Sequence, residues 1–156
     1  MPEPVLALLG VGANLGDARS AVRKAIVDLA QLPSTDVVTV SSLYGSAPLD
    51  ADGPDYVNAV VQVFTALSPE ELLRGLQAIE QQAGRERPYR NAPRTLDLDI
   101  LLHGANQVDC DDLQIPHPRM WQRAFVVVPL AEIAPHLVSP AQVQAVAGQV
   151  LHRLDP

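Results

Sequence analysis

Apolar residues arrive along this chain in short blocks whose period changes from one block to the next. Val5 to Val11 is an apolar run after Pro4, ended by Gly10 and Gly12, and predicts a buried strand. Asp17 can cap a helix in which Val22, Ala25, Ile26 and Leu29 form one stripe, broken by Pro33-Ser34. Val37 to Tyr44, β-branched and hydroxyl-rich, predicts a second strand. A loop with Pro48, Asp50, Asp52, Gly53 and Pro54 leads to a third, valine-dense strand over Tyr56 to Leu67. Ser68-Pro69-Glu70-Glu71 has serine at the cap, proline at the first helical position and glutamate at the third, a capping box. Leu72, Leu73, Leu76 and Ile79 supply that helix's apolar face, and Gly84 is its natural stop. Leu96 to Leu102 predicts the fourth strand. Beyond it lie a polar loop, a turn at Pro116-His117-Pro118 and an apolar stretch from Ala124 to Leu130. The tail from Ala141 repeats Val143, Val146, Val150 and Leu154 with helical period.

The order β-α-β-β-α-β predicts a ferredoxin-like α+β core: two helices on one face of an antiparallel sheet, the other face open, with C-terminal helical and loop additions. No linker or composition shift divides the chain, so residues 1–156 are expected to form a single domain.

Composition narrows the function. Eleven Lys+Arg against eighteen Asp+Glu leave a net charge of −7. That argues against a nucleic-acid or anionic-membrane surface, where clustered cations supply most of the affinity. A single cysteine, Cys110, excludes an internal disulfide or a multi-thiolate metal site and fits a reduced, cytoplasmic setting. The apolar runs are too short to span a bilayer and the N-terminus has no signal pattern. The cations are unevenly placed. Ten of the eleven are arginine, and Arg85, Arg87, Arg90 and Arg94 fall within one ten-residue stretch. Guanidinium forks suit phosphate oxygens, although a solvated loop with surface pairs would look the same.

Asp97-Leu98-Asp99 lies inside the fourth predicted strand. Alternation puts both carboxylates on one face and Leu96, Leu98, Ile100 and Leu102 on the other. Their β-carbons should sit ~6–7 Å apart, and at an effective dielectric near 20 the repulsion is about 2–3 kcal/mol. A divalent cation would offset that cost, and two such carboxylates can bridge a pair of hard cations. The bland alternative is a solvated face with two free aspartates. Arg94, three residues before Asp97, could either meet a phosphate or neutralise a carboxylate. No P-loop pattern is present, and the one lysine, Lys24, has no evident site role. Tyr56 and Asn58 share a strand face, where a ring and an amide would suit a flat heterocycle or simply finish a turn. Phe125 by default belongs to the core, and His117 between two prolines by default is structural.

Together these segments resemble the 6-hydroxymethyl-7,8-dihydropterin pyrophosphokinases of folate biosynthesis. The core of the resemblance is Arg90-Asn91-Ala92-Pro93-Arg94-Thr95-Leu96-Asp97-Leu98-Asp99-Ile100-Leu101. Gly12 to Asp17, Ser41-Ser42-Leu43-Tyr44, Pro54 to Ala59, Ile115 to Pro118, and Arg123-Ala124-Phe125 leading to Pro129-Leu130 occur in the family's order. The resemblance implies a ferredoxin-like fold and a cytoplasmic, ATP-dependent diphosphotransferase that passes pyrophosphate to the pterin hydroxymethyl group and releases AMP. It implies that Asp97 and Asp99 hold two Mg²⁺ ions bound with ATP, and that Arg85 and Arg94 act beside them in catalysis. Arg87, His117 and Arg123 match positions contacting phosphates and nucleotide, and Glu80 and Ile100 match positions on the nucleotide and adenine side. Tyr56 and Phe125 match rings that sandwich the pterin, Asn58 the amide on its edge, and Ser46, Ala47 and Leu49 the loop that reads it. Asn91, Ala92 and Ala47 depart from the family's common residues. The partners implied are the two small-molecule substrates, with no nucleic acid and no membrane, and the chain is expected to be a monomer.

Two other classes fit parts of the pattern. A ferredoxin-like sensor would bind a ligand without turnover and tolerate loss of Asp97 and Asp99. An RNA-binding module can share the strand order, but the charge of −7 and the absence of an aromatic pair at the usual strand positions count against it.

Overall fold

The computed structural model describes residues 3–14, 17–46, 56–85 and 96–155, except for the side chain of Arg85. Strand β1 (Val5–Ala13) is followed by helix α1 (Ala18–Ala30), strands β2 (Thr35–Val40), β3 (Tyr44–Ser46) and β4 (Tyr56–Thr65), helix α2 (Pro69–Arg85) and strand β5 (Asp97–His103). The hairpin β6 (Val108–Cys110) and β7 (Leu113–Ile115) comes next, then a 3-10 turn at Met120–Gln122, helix α3 (Ala124–Ile133), helix α4 (Pro140–Ala145) and strand β8 (Leu151–Arg153). In the main sheet the order is β5-β1-β4-β3-β8, with β2 also paired to β4, and every neighbouring pair is antiparallel. With β2 and β3 counted as one interrupted strand, the first four strands stand in the order 4-1-3-2. This is the ferredoxin-like core that the β-α-β-β-α-β pattern predicts.

The caps follow the sequence closely. Asp17 accepts the Ser20 N–H at 3.1 Å, and Ser68 and Glu71 exchange backbone N–H bonds at 3.1 and 2.9 Å. The α1 and α2 stripes (Val22, Ala25, Leu29, Leu72, Leu76, Ile79) bury against Ala7, Leu9, Val11, Ala13, Val57, Ala59, Val61 and Val63. A second cluster lies on the opposite face of the sheet. There α3 and the turn before it place Met120, Val126 and Leu130 against Leu8, Val60 and Leu101. The apolar stretch from Ala124 to Leu130 is therefore a helix that covers part of the sheet face opposite α1 and α2.

Several details differ from the sequence reading. The first strand does not stop at Val11 but runs on through Gly12 to Ala13. The second strand breaks at Ser41–Leu43, because the Ser41 hydroxyl takes the Val60 N–H (2.9 Å) that a ladder partner would otherwise use. The helical period of the tail holds only to Ala145. Beyond Gly148 the chain pairs with β3 as β8, since the free edge of β3 offers unpaired backbone groups, and Val150 is left exposed. Finally, Leu102 does not share the helix-facing side with Leu96, Leu98 and Ile100. A bulge opposite Leu8/Leu9 makes Leu101 the extra residue, so Leu101 and Leu102 both pack in the α3 layer. His103 turns to the helix side, buried, with Nε2 against the Leu67 carbonyl at 2.9 Å and Nδ1 against the Asn106 amide at 2.8 Å.

Candidate active site

The half of the sheet face that α3 leaves uncovered can be built row by row from the strand registers. Gly12 of β1 pairs with Asp97 on one side and Asn58 on the other; Gly10 pairs with Asp99 and Val60; Asn58 pairs in turn with Tyr44. Directly paired residues point to the same face. The two aspartates, the two glycines, Asn58, Tyr44, Ser46 and Tyr56 therefore line one surface. Asp97 and Asn58 stand two strand spacings apart, about 10 Å, and only hydrogen atoms of Gly12 rise between them. An added β-carbon at Gly12 would lie 3.1 Å from Asn58 Oδ1, whereas one at Gly10 would meet nothing closer than Leu101 Cδ2 at 3.7 Å. The glycines are the floor of a trough whose walls are carboxylates on one side and an amide on the other.

On the carboxylate side both Asp97 and Asp99 keep solvent-exposed surface. Burial of its carboxyl nevertheless raises Asp99 above the usual carboxylate range, with the neighbouring Asp97 adding to the rise; His117 and Arg123 pull the other way without cancelling it. The free protein thus leaves Asp99 under-compensated, and a divalent cation would supply the missing charge. Among the described residues no group of three or more His, Cys, Asp or Glu gathers in one place. Two carboxylates fill only part of a six-oxygen shell, so the residues fit a hard cation that arrives with phosphate oxygens and water.

His117 reaches this wall from the turn after β7, where its backbone N–H donates to the Leu101 carbonyl at 3.0 Å. Burial lowers the imidazole below its ordinary value; Asp99 opposes that shift, and Arg123 and Arg119 reinforce it. Its Nδ1 accepts the Arg119 N–H at 3.2 Å, so the neutral ring carries its proton on Nε2. A neutral N–H donor is suited to a phosphate oxygen and poorly suited to act as a base.

On the opposite wall Asn58, 4% exposed, donates through Nδ2 to Ser46 Oγ at 2.8 Å. That bond fixes which end of the amide faces Gly12. Tyr56 opens β4, half-buried, and pairs with Ser46. Phe125 stands half-buried near the start of α3, with the Arg123 guanidinium 5.4 Å from its ring centroid.

Two of the sequence-predicted residues have evident structural work. Glu80 Oε2 accepts the Leu98 N–H at 2.9 Å, tying α2 to the outer edge of β5. Ile100 turns its side chain into the core beneath α1 and α2 (4% exposed), so only its main chain is available to a ligand at that strand edge. Arg85 ends α2. Ala47, Leu49, Arg87 and Arg94, with Asn91 and Ala92, lie outside the described residues. Sequence reasoning missed Gly10 and Gly12 as a floor, and gave Glu132 no role. The signal for the glycines was available in their phase, since both alternate with the buried β1 residues.

A profile of the 7,8-dihydro-6-hydroxymethylpterin-pyrophosphokinase family matches residues 8–135. The 2-amino-4-hydroxy-6-hydroxymethyldihydropteridine pyrophosphokinase of Synechocystis is 42% identical over 149 residues, covering 96% of this chain and 76% of the relative. The protein of the same name from Pseudomonas aeruginosa is 47% identical over 133 residues, covering 85% and 82%. Among solved structures, Plasmodium falciparum HPPK-DHPS with pterin and p-hydroxybenzoate superposes with a TM-score of 0.67 at 13% identity, over 86% of this chain and 40% of that one. That last likeness is one of fold.

Proposed function

We infer the division of labour at this site from one premise: the chain belongs to the 7,8-dihydro-6-hydroxymethylpterin-pyrophosphokinase family. It is an ATP-dependent diphosphokinase that transfers a pyrophosphoryl group to hydroxymethyldihydropterin in folate biosynthesis. Neither the sensor nor the RNA-binding reading is retained.

The observation that carries the assignment of roles is the trough itself, with carboxylates and a hydrogen-bonding amide facing each other across two glycines on one sheet face. In this reading Asp97 and Asp99 hold two Mg²⁺ ions that enter with ATP. The metal supplies Lewis-acid polarisation of the phosphate oxygens and lowers the pKa of the attacking hydroxyl. His117 donates its Nε2–H to a phosphate oxygen, and Arg123, Arg85, Arg87 and Arg94 supply guanidinium forks to the same group. Glu80 and the main chain of Ile100 border the nucleotide. Asn58, held by Ser46, offers its amide to the pterin edge. Tyr56 and Phe125 offer two rings for stacking, with Ala47 and Leu49 completing the loop beside them. No side chain is placed as a general base; the hydroxymethyl oxygen is brought in line with the β-phosphorus by binding on both walls. The same reading takes residues 1–156 as a single, monomeric, cytoplasmic domain acting on small molecules, with no nucleic acid or membrane partner. Among the described residues no helix is long and apolar enough to cross a membrane.

The test is AMP release from ATP and Mg²⁺ with and without 6-hydroxymethyl-7,8-dihydropterin. AMP that forms only when the pterin is present is expected. AMP formed equally without it would overturn the reading.

A further inference from the structure

Helix α3 carries Arg123 and Phe125 at its start, yet its grip on the sheet is almost wholly apolar. Ala124, Val126, Val127, Pro129 and Leu130 are buried, and Glu132 is the only polar residue between Ala124 and Ile133. Apolar burial is strong but non-directional, so by itself it resists removal of the helix better than small turns or slides along the sheet. Hydrogen bonds supply direction.

Glu132 makes them. Its Oε1 accepts the Tyr44 hydroxyl at 2.7 Å and the Ser42 N–H at 3.0 Å; its Oε2 accepts the Ser42 hydroxyl at 2.9 Å and shares the same N–H at 3.1 Å. Both donor residues, Ser42 and Tyr44, are on β3 or the turn leading into it. That turn is itself locked to β4, since the Ser41 N–H donates to the Val60 carbonyl and the Ser41 hydroxyl accepts the Val60 N–H, both at 2.9 Å. The far end of β3 is Ser46, which holds Asn58. One short strand therefore anchors both the Asn58 amide and the helix that carries the Phe125 ring.

Helical geometry makes this anchor specific. Glu132 lies seven residues after Phe125, so the two side chains differ by only ~20° around the axis and stand about 10 Å apart along it. A turn of α3 that swings Phe125 must swing Glu132 by the same angle, against its bonds to Ser42 and Tyr44. Burial, and then the bond to Glu132, push the Tyr44 hydroxyl up to about 12. Burial raises Glu132, but the bonds from Tyr44 and Ser42 outweigh it and hold the carboxylate below its usual range. The pair therefore stays donor and acceptor throughout the neutral range.

We propose that Glu132, through Ser42 and Tyr44, is a positioning residue that sets the Phe125 ring at its distance from Asn58 and so tunes pterin affinity. This deepens the reading of Phe125 as a pterin-stacking ring and rests on it. The Ser41-Ser42-Leu43-Tyr44 segment thereby acquires a role without touching substrate.

The experiment is a double-mutant cycle in pterin affinity, measured calorimetrically with Mg²⁺ and a non-hydrolysable ATP analogue, with circular dichroism and melting as fold controls. Phe125→Ala should weaken pterin binding several-fold or more. Glu132→Ala should weaken it roughly five- to thirtyfold by misplacing the ring. In the Phe125→Ala background Glu132→Ala should add less than about twofold, the mark of residues acting as one unit. Glu132→Gln, which keeps one acceptor oxygen, should fall between wild type and Glu132→Ala. Should Glu132→Ala fail to fold, Tyr44→Phe carries the same cycle with a smaller effect. A full Glu132→Ala loss persisting without the Phe125 ring, or wild-type affinity in folded Glu132→Ala, would overturn the proposal. Unchanged affinity in Phe125→Ala alone would show that the ring assignment had failed first.

Discussion

On the α1/α2 side of the sheet, β1 contributes Ala7, Leu9, Val11 and Ala13, none more than 3% exposed. On the other side the same strand contributes Leu6, Leu8, Gly10 and Gly12: one leucine 48% exposed, one buried beneath α3, then two residues with no side chain at all. The first face follows a single rule, burial, along its whole length. The second changes rule every two residues, from surface to core to trough floor. Packing needs volume everywhere, whereas a site needs volume withheld at chosen points, and strand alternation lets both demands be met by one nine-residue segment.

The comparison can be broken most severely at the carboxylate wall. Asp97→Ala should reduce turnover by roughly 10³-fold or more, since only the trough face is touched and metal charge stabilisation is worth several kcal/mol there. Its melting temperature should stay level or rise, because like-charge repulsion with Asp99 is relieved. A variant with normal activity would remove the metal-binding role. On the opposite face Leu9→Ala should invert that result, costing about 2–5 kcal/mol in denaturant unfolding while leaving kcat/KM of the folded protein close to wild type. A large kinetic loss in folded Leu9→Ala would show that the faces are not separable. The finest distinction lies in the floor. Gly12→Ala should displace the Asn58 amide from its 3.1 Å approach and weaken pterin binding by about tenfold, against a smaller effect for Gly10→Ala, whose added carbon has ordinary clearance. Equal effects at the two glycines would mean that Asn58 is not the sensitive neighbour.

What the sequence made legible follows the same division. The caps at Asp17 and Ser68, the helix stripes and the pairing of Asp97 with Asp99 on one face are set by residues within one or two turns of each other, and local periodicity reads them correctly. Ser41 and the tail were misread because their outcome depends on distant partners. The Ser41 hydroxyl competes for a β4 donor, and Val146 to Leu154 meets an unpaired β3 edge that a helical count does not see. Gly10 and Gly12 look like a strand end from within β1 and become a floor only once Asp99, Asp97 and Asn58 flank them. Tyr56, Asn58 and Phe125 have ordinary structural readings one by one. Family resemblance, rather than spacing, picked them out.

The bulge in β5 has a consequence for how this chain tolerates insertions and deletions. Upstream of Leu101, odd-numbered residues face the trough and even-numbered ones the helices; downstream the parity is exchanged, leaving Leu102 under α3 and His103 turned to the helix side. The strand thus contains two reading frames joined at one residue. Removing Leu101, the extra residue, would merge the frames into one regular alternation in which Leu102 stays under α3 and His103 stays on the helix side opposite Ala7, and Asp97 and Asp99 would keep their facing as well. Loss of that one residue therefore costs the packing of a buried leucine under α3, rather than the facing of either half of the strand.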